Sequence, residues 1–346
     1  MCGWVANDFT KPHRGNQNYN ARGGLRRCGD PPVRDSYSLI SGPSTGIFHR
    51  IGVSGVYDPT DLGSQFQKVI GIEPTGRVAL DLDLQSAMST AKLAASRAGE
   101  ILLSMRGSAT VHTKSGKDLV TDADFAAQIA ICECLGKAYP DHGFLGEEGA
   151  VGILESQKIG LQNSAYCWVV DPLDGTTNYA HGFPQYAVSI ALTYERQPVL
   201  GVIYDPEANE MFSAVKGHGA LLNDRSIRTS AQSELSQSLV AAGLSPNLKE
   251  GSIEIRNVNR MLLATQGLRR LGSAALNLCY VACGRLDGYW GGTLKLWDIA
   301  AGVLLVREAQ GVVTDTKGDD QRALEGALIA ASTRQLQQQI SRVIAD

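Results

Sequence analysis

Asp171-Pro172-Leu173-Asp174-Gly175-Thr176 sets two carboxylates three residues apart, with a glycine and a hydroxyl residue directly behind them, at the end of an apolar stretch. Proline fixes its own φ and biases the residue before it toward an extended conformation, so Asp171 is held in place as the chain leaves a strand. Both carboxylates can then face one pocket. Gly175 and Thr176 follow where a helix would begin, and the first N–H groups of a helix, having no partner within it, form a place for an anion, phosphate above all. Carboxylates beside a phosphate repel it unless cations lie between them. Hard divalent ions with oxygen ligands meet that need, and Mg2+ is commonly held by few carboxylates together with substrate phosphate. The stretch therefore predicts metal-assisted phosphate chemistry. A plainer reading makes Asp174 an N-cap and Asp171 a turn residue.

Three further acidic features weigh against the plainer reading. Glu147 and Glu148 sit between two glycines in "GEEG" after an apolar segment. "DLVTDAD" carries Asp118, Thr121, Asp122 and Asp124 at a strand-to-helix junction, where capping accounts for one or two of the acids. Asp298 in "LWDIAAG" lies at the start of a small-residue helix.

Together and in this order, Asp118-Leu-Val-Thr121, Gly146-Glu147-Glu148, Asp171-Pro-Leu-Asp174-Gly175-Thr176-Thr177-Asn178 and Trp297-Asp298-Ile-Ala-Ala-Gly302 resemble the inositol monophosphatase family over roughly residues 84 to 340. The resemblance implies an α/β fold of alternating α/β/α/β/α layers of the sugar-phosphatase type, with largely antiparallel sheets. It implies two or three Mg2+ ions, lithium sensitivity and a homodimer. Carried over by motif, Glu147, Asp171 and the Leu173 carbonyl would hold a first metal, and Asp171, Asp174 and Asp298 a second. Asp118 paired with Thr176 would orient and deprotonate the attacking water, with Glu147 bordering a third metal. The Gly175 and Thr176 N–H groups would bind phosphate. Asp122, Asp124 and Glu148 read as capping or supporting groups.

For the rest of the substrate, the resemblance points to Asp174, Gly272-Ser273-Ala274 and Asp298. The glutamate that the family uses to bind ring hydroxyls falls at Gly291, in "GYWGGTLKLWD", and its absence removes an acceptor that a polyol would need. The implied substrate is a small phosphorylated polyol or sugar, inositol 1-phosphate first. Fructose 1,6-bisphosphate, histidinol phosphate and nucleoside 3',5'-bisphosphates stay open, as does a binding or regulatory role on the same scaffold. Lys295 and His181 read as a solvated lysine and a loop residue near the site mouth.

Local patterns predict the elements that must position these residues. A helix is expected over 84–107, a hairpin over 110–121 and a helix over 122–140, with Thr121 and Asp124 at capping-box-like spacing and Pro140 closing it. After an acidic-to-polar loop, strands are expected at 166–170, 186–195, 197–206 and 210–223, and helices at 254–267, 272–284 and 299–311.

With 43% apolar and 19% charged residues in 346, the composition is that of an ordinary globular protein. A net charge of −3 and a pI near 6.1 give no reason to expect nucleic acid or an anionic membrane as the main partner. No apolar run reaches the roughly 20 residues of a spanning helix. Seven cysteines without a CxxC pair suggest free thiols and a reducing compartment. Residues 1–83 are expected to be a poorly ordered basic extension, with seven Lys/Arg against three Asp/Glu in the first 50. They read as a transit-like leader or a mis-assigned start, ahead of a catalytic domain over 84–346. The cytoplasm is the expected location, or a plastid or similar organelle if the leader is a transit segment.

Overall fold

The computed structural model describes residues 82–149, 151–153 and 164–345. The expected leader, up to residue 81, and most of the acidic-to-polar loop, 154–163, lie outside the described residues.

Helix α1 (Leu84–Met105) starts where Asp83 accepts hydrogen bonds from the Gln85 and Ser86 N–H groups. The hairpin β1 (Val111–Ser115) and β2 (Asp118–Thr121) is antiparallel, as expected, and leads into α2 (Asp122–Ala138). Thr121 and Asp124 form the capping box that their spacing suggested.

Seven strands make the larger sheet, in sequence order: β3 (Gly143–Gly146), β4 (Tyr166–Asp174), β5 (Ala187–Tyr194), β6 (Gln197–Asp205), β7 (Glu210–Val215), β8 (Ala220–Leu222) and β9 (Arg225–Ile227). Only β3 and β4 are parallel; every later neighbour is antiparallel. The single strand expected over 210–223 is two, because Gly217 and Gly219 take left-handed φ values of 80° and 81° and turn the chain back. A five-residue helix, α3 (Thr176–Ala180), separates β4 from β5.

The second sheet, which local patterning did not predict, has the order β11-β10-β12-β14-β13. Its members are β10 (Leu239–Gly243), β11 (Gly267–Arg269), β12 (Gly288–Gly291), β13 (Val312–Thr314) and β14 (Leu328–Ala331). β10 runs parallel to β11 and β12, while β14 is antiparallel to β12 and β13. Between these strands run α4 (Ile253–Ala264), α5 (Ala274–Ala282) and α6 (Leu296–Glu308), and α7 (Arg334–Ala345) follows. The helix expected over 254–267 stops at Ala264, and its last residue opens β11.

Three apolar clusters stack these elements into alternating layers. α1 and α2 bury their faces on one side of the seven-stranded sheet through residues such as Ala91, Ala95 and Ile131, packed with Trp168 of β4. α5 and α6 fill the space between the two sheets. α4 and α7 cover the outer face of the second sheet. The result is the α/β fold with α/β/α/β/α layers that the motifs implied. Among the described residues, no helix is long and apolar enough to cross a membrane.

Strand β4 sends Trp168 and Val170 toward α1 and α2, and Cys167 and Val169 toward α5 and α6. The period then breaks. Asp171 stands opposite Ser189 and Asp174 opposite Ala187, so three steps on β4 match two on β5. This is a β-bulge, and it returns Asp174 to the side that Asp171 already faces. Ser189, on that side, donates to the Trp297 carbonyl of α6 at 3.1 Å.

Candidate active site

A cavity of ≈ 230 Å³ opens beside the bulge, lined by Glu147, Asp171, Asp174 and Asp298 and by the Gly175-Thr176 turn. Each carboxylate is placed by a different element. Glu147 follows β3 and is fixed by its N–H bond to the Val170 carbonyl at 3.1 Å. Asp171 is 2% exposed, and its Oδ1 accepts from the Leu173 N–H at 2.9 Å. Asp174 caps α5 from outside: its Oδ2 accepts from Ser273 Oγ at 2.5 Å and from the Ala275 N–H at 2.7 Å. Asp298 stands in the first turn of α6, and its Oδ2 accepts from the Lys295 N–H at 2.8 Å.

Burial, followed by Glu147, Asp174 and Asp298, raises the Asp171 carboxyl well above its ordinary range. Asp298 is raised well for the same kinds of reason, desolvation first and then Asp174 and Glu147. Burial pushes Asp174 up to about 6 against the hydrogen bonds it accepts. Four acids that repel one another in a desolvated cavity favour a cation between them. Part of one is supplied from within: Lys114 of β1 reaches Glu147 Oε1 at 2.9 Å and Glu148 Oε1 at 2.6 Å. Burial works against the lysine's charge, but the two glutamates hold its pKa above the ordinary value. Among the described residues no three acids or histidines close round one point as a finished ligand set. The oxygen-only donor set, its burial and its shared cavity suit hard divalent ions, which would draw the carboxylates together.

A pH dependence follows. Asp124, Asp174 and Glu148 have folded-state pKa values raised to about 6, 6 and 7. A raised carboxyl favours the folded state while protonated, so this contribution is complete below about pH 4 and is lost as pH rises through 6 to 7. Divalent ions oppose the loss by binding the ionised form. Thermal unfolding in EDTA and in Mg2+ is expected to show a gain of several degrees with Mg2+ at pH 8 and almost none at pH 5. An equal gain at both pH values would contradict this account.

The remaining predicted residues meet the same cavity in different ways. Gly175 has φ 99°, and a Cβ there would lie 2.9 Å from the Gln185 carbonyl oxygen, so only glycine lets β4 enter α3 this tightly. The Leu173 carbonyl accepts from Thr176 Oγ1 at 3.0 Å. Asn178, the last residue of the "DGTTN" run, donates from Nδ2 to the carbonyls of Gln185 and Leu271 at 2.7 and 2.8 Å, tying that run to the 272–274 loop. Gly272 has φ 88° and a Cβ on it would fall 2.6 Å from Asn178 Nδ2. Gly272→Ala is therefore expected to lower stability by about 2 kcal/mol in urea unfolding; a neutral result would mean that the tie is loose. Ser273 is fully buried, and its hydroxyl serves Asp174 and the Leu276 N–H, so it positions a carboxylate. Ala274 opens α5 on the cavity wall.

One expected pairing is replaced. Asp118 lines the cavity, but the carboxylate beside Thr176 is Asp124: Thr176 Oγ1 lies 3.2 Å from Asp124 Oδ1. The reason is local. β2 carries Asp118 on the hairpin, whereas the capping box turns Asp124 inward, fully buried, with its Oδ2 bonded to the Thr121 N–H and hydroxyl at 2.8 and 2.6 Å. Asp124 is thus a capping group, as expected, with a second oxygen left for the site. Lys114 escaped the sequence reading because its partners lie 33 and 34 residues away, and nothing in a Lys-Ser-Gly turn signals them. Lys295 and His181 are exposed, as expected, and Cys279 is a buried free thiol.

Residues 83–346 match the family model described as the inositol monophosphatase family. The chain belongs to the inositol monophosphatase family. Its relatives carry two kinds of name. It is 46% identical over 232 residues to the Nus factor SuhB of Xylella fastidiosa, covering 66% of this chain and 81% of that protein. It is 41% identical to the inositol-1-monophosphatase of Mesorhizobium japonicum, covering 73% and 91% of the two chains. The crystal structure of the extragenic suppressor protein SuhB from Bartonella henselae superposes with a TM-score of 0.69 at 39% identity, covering 75% of this chain and 98% of that one. Members of this family are in general Mg2+-dependent phosphatases.

Proposed function

We propose that the chain is a Mg2+-dependent phosphomonoesterase for a small phosphorylated polyol or sugar, with inositol 1-phosphate the first candidate substrate. The observation that carries the proposal is the bulge in β4, which turns Asp171 and Asp174 into one cavity with Glu147 and Asp298. Glu147, Asp171 and the Leu173 carbonyl would hold one ion, and Asp171, Asp174 and Asp298 another. Mg2+ bound there supplies the charge that acidifies a water and offsets the phosphate oxygens.

The chain's own residues do the rest. Thr176 Oγ1 accepts a hydrogen bond from the attacking water and, with the Leu173 carbonyl turned to an ion, gives its single proton to Asp124 Oδ1, 3.2 Å away, instead of to that carbonyl at 3.0 Å. Gly175 and Thr176 bind phosphate oxygens through their N–H groups. Gly272 to Ala274, with Asp174 and Asp298, border the leaving alcohol. Attack by water leaves no covalent phosphoenzyme. The active form is proposed to be a homodimer, which light scattering would test.

The test is phosphate release by the full chain, with and without Mg2+, from inositol 1-phosphate, fructose 1,6-bisphosphate, histidinol phosphate and adenosine 3',5'-bisphosphate. Release that requires Mg2+ supports the reading, and no release from any ester overturns it. The relative named a Nus factor favours a second reading, in which the same scaffold binds a macromolecule. Retention of RNA that weakens with salt, in a chain without phosphatase activity, would favour that one.

A further inference from the structure

Parallel strands β10 and β12 end side by side at Gly243 and Gly291, which are paired in register. Ligand sites in α/β folds lie outside the carboxyl ends of such strands. Tyr289, fully buried on β12, sends its hydroxyl across both glycines. A Cβ on Gly243 would lie within contact distance of that oxygen and 3.1 Å from Tyr289 Cζ, and one on Gly291 would lie 3.1 Å from the same oxygen. The tyrosine excludes a side chain at Gly243 and crowds one at Gly291. Leu294 takes the remaining space, its Cδ1 2.7 Å from where a Gly291 Cβ would be.

The Tyr289 hydroxyl faces the Asn277 side chain but makes no hydrogen bond of full geometry among the described residues, and neither does the amide oxygen of Asn277, which is 1% exposed. Both residues line the cavity that holds the carboxylates. Buried polar atoms are almost always paired, so two orphans on one cavity wall call for a ligand group that completes them. Burial raises the phenol well above its ordinary pKa, so it stays a neutral hydroxyl, able both to donate and to accept.

Resting on the phosphatase reading above, we propose that Tyr289, with Asn277, determines specificity by hydrogen-bonding one hydroxyl of the leaving alcohol. Gly291 offers no carboxylate for a pair of hydroxyls. The substrate class is a phosphate monoester whose alcohol carries a hydroxyl near the ester and a carbon face toward Leu294.

The test compares two esters of one carbon skeleton, glycerol 1-phosphate and n-propyl phosphate, titrated calorimetrically into the full chain with Ca2+ in place of Mg2+. The wild-type chain is expected to bind the glycerol ester about 10-fold more tightly, and Y289F to bring the ratio close to one. Because the hydroxyl makes no bond of full geometry within the protein and faces only the Asn277 amide, the melting temperature of Y289F should stay within a degree or two of the wild type. An unchanged ratio in Y289F, or a melting temperature several degrees lower, overturns the proposal. If inorganic phosphate binds and neither ester does, the proposal alone fails. If phosphate does not bind either, the phosphatase reading fails with it.

Discussion

Asp171→Asn is expected to lower kcat/KM for any accepted phosphate ester by about 10³-fold or more, roughly 4 kcal/mol of transition-state stabilisation. The substitution keeps the volume of a side chain that is 2% exposed, and an asparagine Oδ1 can still accept from the Leu173 N–H. What it removes is the carboxylate whose pKa is raised by burial first and then by Glu147, Asp174 and Asp298 together. Without the cation, the variant should therefore melt no lower than the wild type in EDTA at pH 8, since one of the mutually repelling charges is gone. Its gain on adding Mg2+ should largely vanish. Loss of activity with full retention of the Mg2+ gain would place Asp171 outside the metal centre. Activity within 10-fold of wild type would sink the metal assignment altogether.

The second large effect separates two aspartates that lie six residues apart. Asp124→Asn is expected to reduce kcat by about 10² to 10³-fold with KM changed only a few-fold, because it removes the acceptor for the Thr176 proton. Asp118→Asn, on the same assays, should cost less than about 10-fold. The pH profile adds a readout that structural damage would not produce. Asp124 is pushed up to about 6 by burial, and only its ionised form can take a proton, so activity falls as pH drops through that value. A cation held by the nearby acids moves this limb lower. The limb should disappear from the residual activity of Asp124→Asn. If Asp118→Asn is the more damaging variant, the proton route through Asp124 is wrong and Asp118 takes its place.

The same pair of residues shows how far the sequence could be read. "DPLDGTTN" and "WDIAAG" were legible because each compresses its chemistry into a contiguous run, with proline, glycine and a helix start in fixed order. "DLVTDAD" was legible as a site but ambiguous in its parts. Asp118 and Asp124 are separated by a strand end and one helical turn, and only the direction taken by the capping box decides which carboxylate meets Thr176. The helices α1, α2, α5 and α6 announced themselves through apolar spacing and glycine or, for α2, proline stops. The second sheet did not. Its strands are three to five residues long and rich in alanine and glycine, too short to show a period of two before the chain turns. Long-range features were invisible for a simpler reason: nothing near Lys114, or near Tyr289, names the residues that fold against it.

The bulge at Pro172 and Leu173 makes the site depend on a count as well as on identities. Up to Val170 the strand alternates between its two faces, and an unbroken alternation would put Asp171 and Asp174 on opposite faces, the latter among the alanines of α1 and the apolar face of α2. The extra residue cancels that inversion, and Leu173 returns to the helix side while Asp174 comes back to the cavity. The one-residue excess of β4 over β5 between the Asp171–Ser189 and Asp174–Ala187 pairs is thus the variable under constraint. A conservative exchange at 172 leaves both carboxylates in place. Adding a single residue to β5 between Ala187 and Ser189 would perfect the ladder of hydrogen bonds and, in the same stroke, drive a negative charge into oil.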